Sequence, residues 1–340
     1  MSAVQTRYVG DDDDGIRLDR WFKRHFPALT HGTLEKLIRT GQVRVDGGRV
    51  KANHRLEKGN AIRVPPFPAP KAGAADSMRE ETPAKLSAKD RAFVQSLVLY
   101  EDDAVIVFSK PHGLAVQGGS KTERHLDGLM ATFEKSGQKP RLVHRLDRDT
   151  SGVMIVGRTA AAAAHLAQEF RRHTTQKLYW ALTHGVPSPR EGWIDAALKK
   201  QAAKGGRERM RVADEDDEDG QSAVTQFTTI DHAATEVAWL ALRPETGRTH
   251  QIRAHCALIK CPIIGDPKYG GRDTKVRGAL EYKMHLHAAA LRIVLPGGQE
   301  MTFTAPPPPH FQKSLDIFGF KTPKSADPFG VFPKKKERKP

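Results

Sequence analysis

The sequence is poor in cysteine, in long apolar runs and in amino-terminal sorting signals. Only Cys256 and Cys261 occur, in a C-x4-C spacing that is too sparse for a disulfide framework and unlike that of a zinc ribbon. No apolar run approaches the roughly 20 residues that are needed to span a bilayer. The opening segment, MSAVQTRYVGDDDDG, lacks the basic and then apolar pattern of a secretory signal and is acidic where a mitochondrial presequence is basic. We therefore expect a cytoplasmic protein without a membrane partner.

Positive charge, by contrast, is present in excess. The 340 residues include 55 Lys and Arg against 40 Asp and Glu, which gives a formal net charge of +15 and a pI near 9.8. Such an excess favours a polyanionic partner, and nucleic acid is the commonest soluble polyanion in a cell. A hydrophobic fraction of 38% supports a real core, and the length suggests about two domains.

Residues 15–65 have the pattern of a small unit with helices and strands. The stretch IRLDRWFKRHF places its apolar residues near one helical face, and Thr30 caps a second helix, HGTLEKLIRTG, that ends at Gly41. The next run, QVRVDGGRV, alternates around an Asp-Gly-Gly turn, which predicts a hairpin. Two basic helices followed by a small sheet indicate a nucleic-acid-binding domain.

The same residues resemble the S4-type RNA-binding domain of ribosomal proteins, a small α/β domain. The matching segments are LDRWF, LIRTGQVRVDG and LEKGNAIRV, and Asn60 stands where that family usually has Asp. Without the resemblance, the basic residues of this domain could equally form a solvated face. With it, we predict that six of them contact RNA phosphates: Arg20, Lys23, Arg24, Lys36, Arg39 and Arg44.

The rest of the chain is organised differently. Residues 66–90 are rich in Pro, Ala and charge and predict a linker, and residues 91–308 combine strand-like runs with a helix that follows Arg158. We predict an α+β domain here, with a mixed, mainly antiparallel sheet flanked by helices. Residues 199–219 pass from basic to acidic and predict a disordered or mobile surface loop, and residues 309–340 predict a basic carboxy-terminal tail.

Two carboxylates stand out in the segment RLVHRLDRDTSG, residues 141–152. Asp147 and Asp149 are interleaved with Arg145 and Arg148 just before a Thr-Ser-Gly turn. An arginine within reach keeps a carboxylate ionised even where water is excluded, so the segment could present a nucleophile or base without a metal or cofactor. Most short charged clusters in loops are surface ion pairs or turn hydrogen bonds. The residues of this segment alone leave both interpretations open.

Three further segments accompany it: SKPHGLAVQGGS (109–120), QKLYWA (176–181) and RPETGRTHQIRAHCALIKCPIIGDPKYG (243–270). In this order and at these separations, the four segments resemble the RluA/RluC class of pseudouridine synthases over residues 97–305. The AVQGGS stretch and the amino-terminal domain resemble the RluC branch most, which implies large-subunit (23S) ribosomal RNA as the substrate. Gln117 stands where His is common, and the acidic insertion before Gln221 lies outside the usual pattern.

The resemblance assigns a role to four residues. Asp147 matches the catalytic carboxylate, and Arg253 matches the arginine that pairs with it. Tyr179 matches the tyrosine that stacks on the uracil, and the resemblance also implies that it assists proton removal from C5. Arg145 matches the residue that fills the gap left in the RNA when the target base is extruded. Asp149 is the competing carboxylate, and its place beside the turn favours a structural role.

The implied reaction moves uracil from an N1–C1′ bond to a C5–C1′ bond on the same ribose. No atom is gained and no redox change occurs, so we predict an isomerase without a cofactor. A carboxylate can either attack C1′, as in retaining glycosidases, or remove the C2′ proton. The sequence leaves both routes open.

Three other functions compete with this one. The same fold could serve a non-catalytic RNA-binding or ribosome-assembly factor, or a synthase that modifies transfer RNA. A metal-dependent nuclease could use Asp147 and Asp149 as ligands. Six residues could join such a site, but their spacing fits no standard zinc pattern: His250, His255, Cys256, Cys261, His285 and His287. We therefore predict a monomeric, metal-free enzyme whose partner is RNA.

Overall fold

The computed structural model describes residues 4–27, 29–66, 86–118, 124–172, 174–202, 208–214, 216–217, 219–270, 280–321 and 327–332. The chain divides into two compact units, Met1–Ala84 and Lys85–Pro340. The predicted linker, residues 66–90, lies mostly outside the described residues, and a helix already begins at Ala88. The linker prediction is therefore wrong for residues 88–90. Among the described helices, none has both the length and the apolar character needed to cross a membrane.

In its described residues, the first unit contains a three-stranded antiparallel sheet and two α-helices. Its elements are β1 (Gln5–Tyr8), α1 (Leu18–His25), α2 (His31–Arg39), β2 (Arg44–Val45) and β3 (Ala61–Val64), with the strands in the order β1-β3-β2. The apolar face predicted for α1 buries Leu18, Trp21 and Phe22 in one core with Ile62 and Val64 of β3. Burial of this face gives the unit a hydrophobic core of its own.

Local signals in the sequence account for α2 but not for the whole sheet. The Thr30 side chain accepts a hydrogen bond from the Thr33 backbone N–H at 3.4 Å, and Gly41 has a left-handed φ of +69° just after the helix. The hairpin prediction is wrong in its pairing, because the turn after Val45 closes as expected but β2 pairs with β3. Strand β1 was not predicted, since all four of its residues are exposed and carry no apolar alternation.

The second unit mixes helices with strands along the chain. Its elements are α3 (Ala88–Ser96), β4 (Val98–Glu101), β5 (Val105–Lys110), α4 (Leu126–Leu129), β6 (Arg141–Leu142), β7 (Ser151–Gly157), α5 (Ala160–Arg172), β8 (Gln176–His184), β9 (Glu191–Asp195), β10 (Leu198–Ala202), β11 (Glu208–Val212), β12 (Val224–Ala233), β13 (Val237–Pro244), α6 (Gln251–Leu258), β14 (Leu286–Val294), β15 (Glu300–Thr304) and α7 (Pro309–Phe318).

Most of these strands form one large sheet. In the described part of the unit, its order is β4-β5-β7-β14-β8-β13-β12-β9, with β15 paired to β14 and β6 paired to β7. The β7–β14 pair is parallel, and the other pairs in this sheet are antiparallel. The predicted α+β architecture with a mixed, mainly antiparallel sheet is confirmed.

The parallel contact between β7 and β14 positions two of the sequence-predicted site residues. Gly152 has a φ of +114°, and a Cβ at this position would lie 2.1 Å from the Ala288 carbonyl oxygen of β14. Only glycine permits this approach, which fixes the start of β7 and therefore the loop that carries Asp147. On the other side of β14, Tyr179 of β8 is the register partner of Ala288. The loop and β8 therefore flank the same part of β14.

The charged insertion is folded in its described residues. Strands β10 and β11 form an antiparallel hairpin, and residues 203–207 lie outside the described part. Lys199 Nζ and Arg211 Nη2 lie 2.8 and 2.6 Å from the two carboxylate oxygens of Asp217. The hydrogen bond from Lys199 is the largest of several that hold the pKa of Asp217 at about 2. The prediction of a disordered or mobile loop is wrong for these residues, because the acidic segment neutralises the cations of the hairpin.

Most of the predicted tail also belongs to the folded unit. Helix α7 buries Phe311 and Leu315 in a core with Trp239, and beyond the helix Phe329 and Phe332 are buried in a neighbouring core. The tail prediction is therefore wrong for the described residues between 309 and 332. The basic residues from 333 onward lie outside the described part of the chain.

Candidate active site

Asp147 occupies a turn in the loop between β6 and β7. The Thr150 backbone N–H donates to the Asp147 carbonyl at 3.2 Å, and the neighbouring Leu146 is buried in a core with Phe108 and Met154. The Asp147 side chain remains 25% exposed. Buried side chains therefore anchor the backbone of the loop, while the carboxylate faces outward into a pocket.

Lys110, at the end of β5, holds the same loop from within the protein. Its side chain is fully buried, and its Nζ donates to three backbone carbonyls at 3.1, 2.7 and 3.0 Å, those of Pro111, Leu114 and Arg148. Burial lowers the pKa of Lys110 to about 7. This lysine ties the end of β5 to the segment that follows Asp147, a role that was not predicted from the sequence.

The predicted partner of Asp147 is in contact with it. Arg253, on α6, donates from Nη1 to Asp147 Oδ2 at 2.7 Å, although 106 residues separate the two in sequence. The Arg253 residue is only 5% exposed. A guanidinium at this distance forms a charge-assisted hydrogen bond that fixes the position of one carboxylate oxygen.

A second carboxylate orients the guanidinium from the opposite side. Asp266 accepts from Arg253 Nε at 2.7 Å and from Nη2 at 2.8 Å, and it also accepts the backbone N–H groups of Lys268 and Tyr269. Burial alone would lower the pKa of Arg253, but the hydrogen bonds and charges of Asp266 and then Asp147 raise it instead. Asp266 was not singled out from the sequence, although it stands in the segment RPETGRTHQIRAHCALIKCPIIGDPKYG.

Tyr179 lines the same pocket from β8. Burial, together with the negative charge of Asp147, raises the pKa of its phenol well above the ordinary value. The phenol is therefore protonated at neutral pH, and it offers an aromatic face and an O–H rather than a phenolate base. Arg145 lies exposed at the pocket, so the four residues that the sequence suggested for this unit come together: Arg145, Asp147, Tyr179 and Arg253.

Lys177 is a further cation of this pocket that was not predicted. It lies two residues before Tyr179 on β8 and therefore on the same face of the strand, and its Nζ lies 3.5 Å from the Thr246 carbonyl oxygen. Burial lowers the pKa of Lys177 to about 8, while the charge of Glu245 opposes that change. The period-two alternation of the strand was the available signal for this residue.

Asp149 is placed differently from Asp147. Its carboxylate lies 4.0 Å from both His112 Nε2 and Arg148 Nε, and it does not line the pocket. The residues considered for a metal site have other partners: His255 contacts Thr225, His285 contacts Ser314, and His287 contacts Ser151. Cys256 and Cys261 are buried thiols. Within the described residues, no group of three or more His, Cys, Asp or Glu is arranged to hold a metal ion.

The six basic residues predicted to contact RNA phosphates lie in the first unit. Arg20, Lys23 and Arg24 line a shallow groove on α1, and Lys36 and Arg39 are exposed on α2. The remaining member of the set, Arg44, is half-buried and donates to the carbonyls of Gly41 and Gly47, both at 3.1 Å. Part of its hydrogen-bonding capacity is therefore used inside the domain.

Comparisons with known proteins agree on the family. Residues 104–258 match the family model described as RNA pseudouridylate synthase, and residues 16–62 match the S4 domain model. The chain is 32% identical to the ribosomal large subunit pseudouridine synthase C of Salmonella typhi, over 94% of this chain and 98% of that protein. It is 39% identical to RNA pseudouridine synthase 4, mitochondrial, of Arabidopsis thaliana over 76% of this chain, but it covers only 61% of that relative.

A solved structure supports the same assignment. Human RNA Pseudouridylate Synthase Domain Containing 4 superposes with a TM-score of 0.57 at 26% identity, over 69% of this chain and 98% of that one. The family prediction from the four segments is confirmed, and so is the predicted isomerase class. The chain therefore belongs to the RNA pseudouridine synthase family and carries an S4 domain in its amino-terminal unit.

Proposed function

We propose that this synthase converts specific uridines of large-subunit ribosomal RNA to pseudouridine and that Asp147 is the catalytic carboxylate. The contact between Asp147 Oδ2 and Arg253 Nη1, at the pocket that Tyr179 also lines, is the observation that supports the catalytic part most directly. A partly exposed carboxylate held by a buried guanidinium can act on the ribose without a metal ion.

The substrate part of the proposal rests on charge and on the relatives. The net charge of +15 and the exposed cations of the S4 domain suit a long RNA, and several relatives are named as large-subunit ribosomal pseudouridine synthases. The cytoplasmic location and the monomeric state that the sequence predicts remain predictions, and one relative carries the word mitochondrial in its name.

In the proposed reaction, the target uridine leaves the RNA stack and enters the pocket. Arg145 occupies the gap, and Tyr179 stacks on the uracil. Asp147 either attacks C1′ or removes the C2′ proton, and the N1–C1′ bond breaks. The uracil turns over and C5 bonds to C1′, which releases the Asp147 oxygen from C1′ on the first route and is accompanied by return of the proton to C2′ on the second. The proton lost from C5 is balanced by the proton gained at N1. Both routes for the carboxylate remain open.

The direct test replaces one carboxylate oxygen. Asp147→Asn should abolish pseudouridine formation in large-subunit ribosomal transcripts and leave RNA affinity nearly unchanged, because the amide keeps the shape but not the charge. Asp149→Asn is the matched control, two residues away in the same loop, and should retain activity. Full activity in Asp147→Asn would contradict the catalytic proposal, and conversion of transfer RNA but not ribosomal RNA would contradict the substrate proposal.

A further inference from the structure

His250 has an unusual backbone conformation at the start of the helix that carries Arg253. It immediately precedes α6 and has a φ of +52° and a ψ of 20°, in the left-handed region that residues with a side chain rarely adopt. Surrounding contacts must hold such a residue in place, and strain of this kind concentrates at functional sites.

The imidazole lies in a chain of polar groups that leads to Asp147. His250 Nε2 is 3.7 Å from Asp147 Oδ2, and His250 Nδ1 is 3.0 Å from the Tyr269 hydroxyl. That hydroxyl accepts the backbone N–H of Met210 at 2.8 Å. Met210 belongs to β11, so the chain connects the β10–β11 hairpin with the carboxylate of the pocket.

The Tyr269 hydroxyl makes the two hydrogen bonds of this chain, whereas the 3.7 Å separation between His250 Nε2 and Asp147 Oδ2 is an electrostatic contact. Burial lowers the pKa of His250 although the charge of Asp147 opposes it, so the ring is neutral and only one of its nitrogens carries a proton. A lone pair on Nε2 would face the negative Asp147, so the proton belongs on Nε2. Nδ1 then accepts from the Tyr269 hydroxyl, whose oxygen accepts from Met210.

Four charged groups act on the imidazole from the surrounding elements. Asp147, from the loop before β7, and Asp266, from the segment after α6, favour its protonation. Arg253, from α6, and Lys268, also after α6, oppose it. The effects of these charges partly cancel. Burial is the largest influence on the pKa, and it favours the neutral ring.

We propose that His250 is a positioning residue whose Nε2–H group faces Asp147 Oδ2 at 3.7 Å and orients the carboxylate electrostatically, and that Tyr269, anchored on Met210, selects this tautomer. The proposal rests on the catalytic role proposed for Asp147. Both His250 and Arg253 contact Oδ2 of Asp147, which assigns the other oxygen, Oδ1, to the ribose. The hairpin then contributes to the active site through the tautomer of one histidine.

The tautomer can be read without measuring activity. In the full-length protein labelled with ¹⁵N-histidine, long-range proton–nitrogen correlation spectra at neutral pH should show His250 protonated on Nε2 only. The spectrum of His250→Gln assigns the signal by its loss. A proton on Nδ1, or on both nitrogens, overturns the proposal, whatever the enzyme does to RNA.

Kinetics test the consequence for Asp147. Tyr269→Phe removes the donor to Nδ1 and makes the imidazolium easier to form, and an imidazolium would pair with the carboxylate. We expect kcat to fall about tenfold with KM nearly unchanged. We also expect the acidic limb of the plot of kcat against pH to move to higher pH by about one unit. A wild-type pH profile in Tyr269→Phe overturns the proposal.

Two substitutions of His250 distinguish the role of its N–H donor near Asp147 from its role in the backbone conformation. Asn tolerates the left-handed backbone but does not reach Asp147, whereas the Gln amide reaches about as far as Nε2 and cannot titrate. We expect His250→Gln to retain most of kcat, to show no shift of the acid limb when combined with Tyr269→Phe, and to exceed His250→Asn about tenfold. Equal losses in both variants overturn the proposal.

The outcomes also distinguish this proposal from the one on which it rests. An inactive Asp147→Asn together with an unshifted Tyr269→Phe profile overturns only the role of His250. A wild-type protein that converts no uridine overturns the proposed function and the role of His250 together.

Discussion

The two units of the chain use positive charge in opposite ways. In the S4 domain, cations such as Arg20, Lys23 and Lys36 are exposed on helices, where solvent screens each of them and their attraction for phosphate adds up. In the catalytic unit, Arg253 and Lys110 are buried, and each is bonded to particular oxygen atoms. We therefore expect RNA binding to be spread over many weak contacts and the proposed chemistry to depend on a few strong ones. Substitutions in the two units should differ accordingly in size and in kind.

The largest effect is expected where a buried charge loses its partner. Asp266→Asn leaves the Arg253 guanidinium without its bidentate carboxylate, so the free energy of unfolding should fall by about 3–5 kcal/mol. The same change should lower kcat by a factor of about 10² to 10³, because the guanidinium that orients Asp147 is no longer fixed.

Urea denaturation and pseudouridine formation measure the two effects of Asp266→Asn. Asp103→Asn, which changes a fully exposed carboxylate of the same unit, should shift stability by less than about 0.5 kcal/mol. Similar free energies of unfolding for the two variants would show that the buried Arg253–Asp266 pair does not stabilise the fold by the expected amount.

The next effect concerns the aromatic wall of the pocket. Tyr179→Phe keeps the ring for stacking and removes a hydroxyl whose raised pKa already prevents it from acting as a phenolate base. Tyr179→Ala removes the ring, and the loss of stacking should lower kcat/KM about ten to a hundred times more than the Phe variant. Steady-state kinetics on one transcript compare the two variants. Equal losses would assign the role to the hydroxyl instead.

Substitution of Lys177 should have opposite effects on stability and on activity. Its pKa is lowered from 10.5 to about 8, so the unfolded chain binds more protons between these values and stability rises with pH across that window. Below pH 8 the buried charge is a cost, and Lys177→Met should be more stable at pH 7 by on the order of 1 kcal/mol.

The activity of Lys177→Met should fall, although its stability at pH 7 should rise. The loss of a cation in the pocket should raise KM about tenfold, and the wild-type activity should decline as pH passes about 8 while that of Lys177→Arg does not. Thermal unfolding at pH 7 and pH profiles of kcat/KM provide the readouts. A destabilised Lys177→Met with a normal KM would assign the lysine to the fold.

The smallest effect on the chemistry is expected from the S4 domain. The double substitution Arg20→Gln and Lys23→Gln should reduce the slope of log affinity against log salt by about 1.5 to 2 and leave kcat unchanged. Lys58→Gln, an exposed cation of the same unit outside the predicted set, is the control for a general change of charge. Filter binding at several salt concentrations makes the measurement, and an unchanged slope would remove α1 from the RNA contact.

Sequence patterns were most informative where the signals are local. The amphipathic face of α1, the Thr30 cap and the glycine after α2 act within one or two helical turns, so they could be read directly. The hairpin prediction failed in its pairing because the partner of β2 lies beyond the next loop. Composition gave wrong predictions for the described residues within 199–219 and 309–332, where Asp217 forms ion pairs with Lys199 and Arg211 of the hairpin and Phe311 is buried against the sheet.

The active site required information that single residues do not carry. The contact of Asp147 with Arg253 spans 106 positions, and the residues of the loop alone leave open whether its carboxylates are catalytic or form surface ion pairs. Asp266 was not singled out, and His250 was considered only as a possible metal ligand, because their partners are distant in sequence although both residues stand in one of those segments. Motif resemblance points to the residues of the candidate site, and burial and hydrogen bonding support the roles proposed for them.

The most direct measurement is a map of pseudouridine in ribosomal RNA from cells that lack this protein and carry either the wild type, Asp147→Asn or Asp149→Asn. We predict that one or a few large-subunit uridines remain unmodified without the protein and with Asp147→Asn, and that the wild type and Asp149→Asn restore them. Restoration by Asp147→Asn, or an identical map with and without the protein, would contradict the role of this carboxylate.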